Sequence, residues 1–247
     1  MPTKKPMVLV TRPAHQSDKL CRLLTNNGFS PLRFPTIEIQ ELANSAAVSI
    51  QLQSAEDYDF LIFISANAVV EANKLVTAWP TNKTIIAIGP ETARSLKKIG
   101  LSPTITAKRP FNSEQLLAQI SANANQNKGL IIKGEGGRTL LADTLRKRGL
   151  IIDTANVYKR GQPVLNNRVT TAPEFITITS QLALKNLFLL LPQQADALKE
   201  HSTFILFSKR IADYAKELGC QHTICSEEAS DSSLVFAMIN DKNHSGS

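Results

Sequence analysis

Sliding the chain along itself by 119 positions lays IGPETARSLKKIGLSPTITAKRPFNSEQLLAQI over FSKRIADYAKELGCQHTICSEEASDSSLVFAMI. Ala93 then meets Ala212, Lys97 meets Lys216, Gly100 meets Gly219, Thr104 and Ile105 meet Thr223 and Ile224, and Ala118 and Ile120 meet Ala237 and Ile239. Each copy reads as helix, turn, strand and helix. Gly100 and Gly219 close the first helix of each copy where the chain needs a left-handed residue, a backbone shape that glycine takes at little cost. One supersecondary arrangement used twice predicts two similar units rather than one continuous core.

The repeat extends beyond this stretch. DFLIFISANAV (59–69) lies over EFITITSQLAL (174–184), matching Phe60 with Phe175, Ser65 with Ser180 and Ala68 with Ala183, and VLVTRP…LLTNNGF lies over LIIKGE…TLRKRGL. The apolar bursts at 8–10, 60–64, 85–88, 130–132, 175–178 and 204–207 alternate with stretches at helical spacing. Short buried strands alternating with helices indicate an α/β class with largely parallel sheets. At 247 residues the chain is long enough for two domains with their own cores, and a cleft between them is the default place for a ligand. RGQPVLNNRVTTAPE (160–174), polar and proline-containing, reads as a connection.

Composition removes several functional classes. No apolar run reaches the roughly 18 residues of a membrane span, and the first residues lack a signal-peptide pattern. Three cysteines, Cys21, Cys220 and Cys225, form no disulfide framework, so a cytoplasmic setting is expected. Cys220-x-His222-x-x-Cys225 lacks the second pair of a zinc site, so metal ligation has no support in the sequence. The net charge of +7 comes without a polybasic block, which favours an acidic small molecule at least as much as nucleic acid. There is no G-x-S-x-G elbow, and KGEGGR (133–138) is neither a P-loop nor a complete dinucleotide fingerprint.

What remains is a set of strand ends. Ligands of open parallel sheets gather outside the carboxyl ends of strands, where helix N-termini present free N–H groups to anions. Ser65, Gly89 to Thr92, the KGEGGR turn and Thr179-Ser180 occupy such ends. Ser65 and Ser180 fit a helix N-cap as well as an anion site. Tyr158 closes the strand-like run DTANVY; a tyrosine there is ordinarily a half-buried packing residue whose hydroxyl reaches water.

In order, TRP near the start, LIFISANAV, IAIGPETA, KGEGGR with TLRKRG, and the VY pair resemble the uroporphyrinogen-III synthase family across nearly the whole chain, most strongly over 7–160. The resemblance implies two α/β domains that differ from the tandem halves, 1–38 with 165–247 and 39–164, joined by a two-stranded connection. It implies a cyclising lyase of tetrapyrrole synthesis that works without a cofactor, here expected as a monomer. Its substrate would be hydroxymethylbilane, a linear tetrapyrrole with eight carboxylates. Water leaves the hydroxymethyl end and the ring closes with the last pyrrole inverted, through an azafulvene cation and a spiro intermediate. Carried over by position, Tyr158 assists departure of the hydroxyl, and Ser65, Gly89, Thr92 and Ser180 bind substrate carboxylates.

The second copy departs from the family's IGPTTA-like turn. It has Ser208 for glycine, Lys209 for proline and Ile211 for threonine, and Ala66 and Gln181 replace the proline usual after the strand serines. Lys209 and Arg210 could supply charge in place of N–H contacts. The same departures motivate an alternative: a catalytically degenerate paralogue that binds a tetrapyrrole or another polyanion.

Overall fold

The computed structural model describes residues 5–120, 127–164, 169 and 171–245, so part of the 160–174 connection lies outside the described residues. The chain divides into two compact units, one built from the residues up to Glu38 and from Gly161 onward, the other from Ile39–Arg160.

The first unit holds β1 (Met7–Val10), α1 (Asp18–Asn26) and β2 (Ser30–Arg33) from the N-terminal part of the chain. To these it adds β9 (Phe175–Ile178), α7 (Gln181–Leu190), α8 (Ala195–His201), β10 (Thr203–Leu206), α9 (Lys209–Glu217), β11 (His222–Cys225) and α10 (Asp231–Ser245). Its five strands run β2-β1-β9-β10-β11, every neighbouring pair parallel. The second unit contains β3 (Glu38–Gln40), α2 (Ser45–Gln53), β4 (Phe60–Phe63), α3 (Ala66–Asn73), β5 (Thr84–Ala87), α4 (Pro90–Lys98), β6 (Ile105–Thr106) and α5 (Ser113–Leu117). It is completed by β7 (Lys128–Gly134), α6 (Leu140–Lys147) and β8 (Ile151–Gly161). Its sheet runs β3-β8-β7-β4-β5-β6, parallel from β8 to β6.

Apart from the edge strand β3, which has no counterpart in the first unit, the two sheet orders are the same once the copies are aligned. β1 and β2 stand where β7 and β8 stand, and β9, β10 and β11 where β4, β5 and β6 stand. Each unit therefore combines the strand-helix-strand opening of one copy with the later strands of the other. The order is the 2-1-3-4-5 of a doubly wound sheet, whose direction of winding reverses at one crevice. That crevice lies between β1 and β9 in the first unit and between β7 and β4 in the second.

The strands are apolar on both faces because helices cover both. All four residues of β4 are buried. Leu61 and Phe63 enter one cluster with Ala68, Val69, Leu96, Leu130 and Ile132, while Phe60 and Ile62 enter another with Leu116, Ile131, Leu141 and Leu145. Strand geometry sends alternate side chains to opposite faces, so a continuous apolar run is what a two-sided parallel sheet requires. The first unit repeats this: Leu9, Ile176 and Phe204 pack on one side, and Val8, Val10, Phe175 and Ile205 on the other. Gly100 and Gly219 take φ of +81° and +90° after their helices, as their repeat positions require.

Among the described residues no helix is long and apolar enough to cross a membrane, and no three His, Cys, Asp or Glu side chains lie together in a way that could hold a metal ion. Cys21 and Cys220 are buried and Cys225 is exposed. Burial raises the Cys220 thiol to about 11, against a smaller opposing influence of Lys199, and also raises Cys21. At pH 8 an aromatic disulfide reagent is expected to modify Cys225 alone in the folded protein, with the other two thiols reacting after unfolding; three fast thiols in the native protein would contradict this burial.

Candidate active site

Four of the five residues singled out in the sequence, Ser65, Gly89, Thr92 and Tyr158, belong to the second unit, and Ser180 belongs to the first. Within the second unit Ser65 and Tyr158 are brought together. The Ser65 Oγ and Tyr158 Oη lie 3.2 Å apart. Gly89 and Thr92 sit at the start of α4, after the next strand.

Ser65 follows β4, adopts extended backbone and caps α3, its Oγ accepting from the Ala68 N–H at 2.9 Å. Ser180 does the same for α7, accepting from Ala183 N–H at 3.1 Å. Both serines are thus N-caps, and each leaves its own hydroxyl proton for another acceptor. Gly89 is the extended N-cap of α4, with Pro90 at the first helical position. A side chain at Gly89 would press on Phe111, whose Cβ would be 3.3 Å away. Thr92 is only 3% exposed, and so is Ile211 at the corresponding position of the second copy. The site accepts an isoleucine, so much of what Thr92 does there is packing. In that second copy Ser208 caps α9 without a side-chain bond, and Lys209 and Arg210 open the helix on its exposed side.

Tyr158 differs from the half-wet tyrosine expected from base rates: its exposure is 0%. The cause is a bulge. β7 and β8 keep one register from Lys128↔Ile151 to Lys133↔Asn156, then slip so that Gly134 faces Tyr158. An extra residue in one strand turns the next side chains to the other face. Ala155 and Val157 point into the core cluster under α3 and α4, and the bulge sends Tyr158 into that same cluster. The ring lies on Gly134, where an added Cβ would fall 2.5 Å from Cζ.

Sequence reasoning passed over Arg160, two residues on. Its guanidinium donates to the Tyr158 Oη at 3.1 Å and stands over the ring, 5.5 Å from its centroid. The KR pair in VYKR looks like an ordinary solvated end of a strand; only a strand's two-residue period, which puts positions 158 and 160 on one side, could have suggested the contact. The result is a buried phenol oxygen flanked by a hydroxyl and a cation, beside the carboxyl ends of β4 and β7. That is the crevice where doubly wound sheets hold ligands.

The chain matches the family profile described as "Uroporphyrinogen-III synthase HemD" over residues 18–235. It is 28% identical to the uroporphyrinogen-III synthase of Escherichia coli K12 over 243 residues, covering 94% of this chain and 99% of the relative. It is 33% identical to that of Proteus mirabilis over 158 residues, covering 62% of this chain and 79% of the relative. Crystal structures of the uroporphyrinogen III synthases of Thermus thermophilus and Helicobacter pylori superpose with TM-scores of 0.64 and 0.63. They are 15% and 17% identical, over 97% and 96% of this chain and 99% of each of theirs, which supports the fold. With 218 of 247 residues inside the family profile (18 to 235 inclusive), this chain belongs to the uroporphyrinogen-III synthase family, cyclising lyases of haem biosynthesis.

Proposed function

We propose that the chain cyclises hydroxymethylbilane, with loss of water and inversion of the last pyrrole ring, and that Tyr158 gives its proton to the departing hydroxyl. The observation that carries this is the arrangement around the Tyr158 Oη. Arg160 donates to it, Ser65 lies beside it, and Ser65 already accepts from Ala68. Two hydroxyls hold two protons, and one suffices for the bond between them. The second proton is left for a third group, which in this reading is the leaving hydroxyl.

A phenol holds its proton at neutral pH and can donate it as the C–O bond breaks. The rest of the reaction asks for positioning: a flexible polyanion must be held folded, with its two ends in reach. We assign carboxylate binding to the α3, α4 and α7 N-termini with Ser65, Gly89, Thr92 and Ser180. Free N–H groups and the helix dipole favour negative charge there, and the net charge of +7 adds long-range attraction. We further assign the enzyme to the cytoplasm as a monomer; a light-scattering mass of two chains would overturn the latter.

The deciding experiment is chromatography of the uroporphyrin isomers formed from hydroxymethylbilane. Type III in large excess is the expected result. Product of type I alone, at the spontaneous rate, would show that the chain does not perform the inversion.

The Ser180 assignment has its own test. Ser180→Ala removes the cap of α7 and should cost about 1 kcal/mol, lowering Tm by roughly 2–4 °C. Ser180→Asp keeps a capping oxygen but repels a carboxylate, so it should hold Tm and raise KM. An unchanged KM in Ser180→Asp would remove Ser180 from the binding site.

A further inference from the structure

We infer that Arg160 is a positioning residue for the cyclisation, holding Tyr158 as the proton donor and stabilising the phenolate left when the proton has gone. The inference rests on the reading of Tyr158 as the acid. It goes beyond that reading by assigning work to a cation that acts on the substrate only through Tyr158.

A guanidinium only donates hydrogen bonds, so the bond from Arg160 Nη2 to Tyr158 Oη at 3.1 Å occupies a lone pair of the phenol oxygen. Ser65 Oγ, 3.2 Å away, is able to occupy the other. When both do so, the phenol proton points to neither and is free for the substrate. Without Arg160, the phenol oxygen keeps a lone pair open and its orientation is no longer set from the β8 side.

Arg160 also answers the charge that the reaction creates. In the proposed step the C–O bond of the hydroxymethyl group breaks, its electron pair leaves on oxygen, and the Tyr158 proton joins that oxygen to give water. The pyrrole end becomes the azafulvene cation and Tyr158 becomes a phenolate. The proton released when the closing ring regains its aromatic pyrrole returns to the phenolate, so the residue ends as it began. A phenolate at a site with 0% exposure is costly unless paired. Arg160 supplies a fixed positive charge, since a guanidinium stays protonated at any working pH, and its donated bond becomes charge-assisted from both sides as the anion forms. Arg160 itself is exposed, with its guanidinium carbon 5.5 Å from the centroid of a buried ring. It therefore acts on Tyr158 without bearing the cost of full burial.

The test is a double-mutant cycle on type III formation. Arg160→Gln should lower kcat by about tenfold or more, with KM within about twofold, and Arg160→Lys should recover part of the loss because a charge returns without the fork. In the Tyr158→Phe background, Arg160→Gln should change kcat by less than about twofold, because its partner is gone. An equal loss in both backgrounds, a loss seen in KM, or no loss in either background overturns the inference. Tyr158→Phe with full kcat would instead overturn the assignment of Tyr158 as the acid. Because Arg160 lies at the surface, both substitutions leave the core intact, and a matching Tm for the variants confirms that the kinetic comparison is between folded proteins.

Discussion

Replacing Tyr158 by phenylalanine is expected to lower kcat for type III product about 100-fold, at the lower end of what general acids contribute, while KM changes by less than about twofold. The ring can stay where it is, on Gly134 and within the cluster formed with Phe63, Ala68 and Val157, so the fold is preserved. What is lost is the hydroxyl. Arg160 is exposed and can return to water, and Ser65 keeps its bond from Ala68. The stability cost is therefore only about 1 kcal/mol. Because spontaneous closure gives the type I isomer, product from the variant should shift toward type I as the enzymatic rate falls. Measuring both isomers over time separates a slow synthase from an inactive one. A variant with undiminished type III formation would move the proton-donating role elsewhere.

The strands were open to reading because two-sided burial writes itself as short apolar runs. FLIF, TIIA, FITI and TFIL are β4, β5, β9 and β10. The repeat also conveyed the equivalence of the serine corners, since Ser65 and Ser180 cap α3 and α7 in the same manner. The environment of Tyr158 was not legible in the same way. It depends on a single register slip between β7 and β8, and a parallel pairing offset is set by the packing of two distant segments rather than by any residue in either. Counting by twos from Ala155 puts Val157 inside and Tyr158 outside; the bulge puts both inside. The contact of Arg160 is hidden for the same reason, since the strand's period alone has its partner Tyr158 facing water. Thr92 is a different case. It stands in a turn with binding geometry, but its match with Ile211, equally buried, shows that sequence position carried a packing role that a motif alone does not reveal.

Gly134→Ala provides the second large effect, because it acts on the same hydroxyl through shape. The added methyl would fall 2.5 Å from Cζ, 2.6 Å from Cε2 and 2.9 Å from Oη of Tyr158, and the ring is fully buried within the core cluster. Overpacking of this kind typically costs about 1–3 kcal/mol. Relief by swinging the ring moves its hydroxyl away from both Ser65 and Arg160, and proton donation is steeply sensitive to such a displacement. The expected result is a kcat lowered about 10- to 100-fold in protein that still folds. Gly129→Ala supplies the control. Its methyl would fall 2.1 Å from Phe60 Cε2, an equally severe clash. Gly129 is five residues earlier in β7, roughly 16 Å along the strand, and Phe60 belongs to the cluster on the opposite face of the sheet from Tyr158. It should lose comparable stability by denaturant titration and keep its kcat per folded molecule. If the two alanine variants lost activity in proportion to their stability alone, the position of the Tyr158 hydroxyl would have no special weight in the reaction; a kcat loss confined to Gly134→Ala ties catalysis to the bulge that sets the phenol against Ser65 and Arg160.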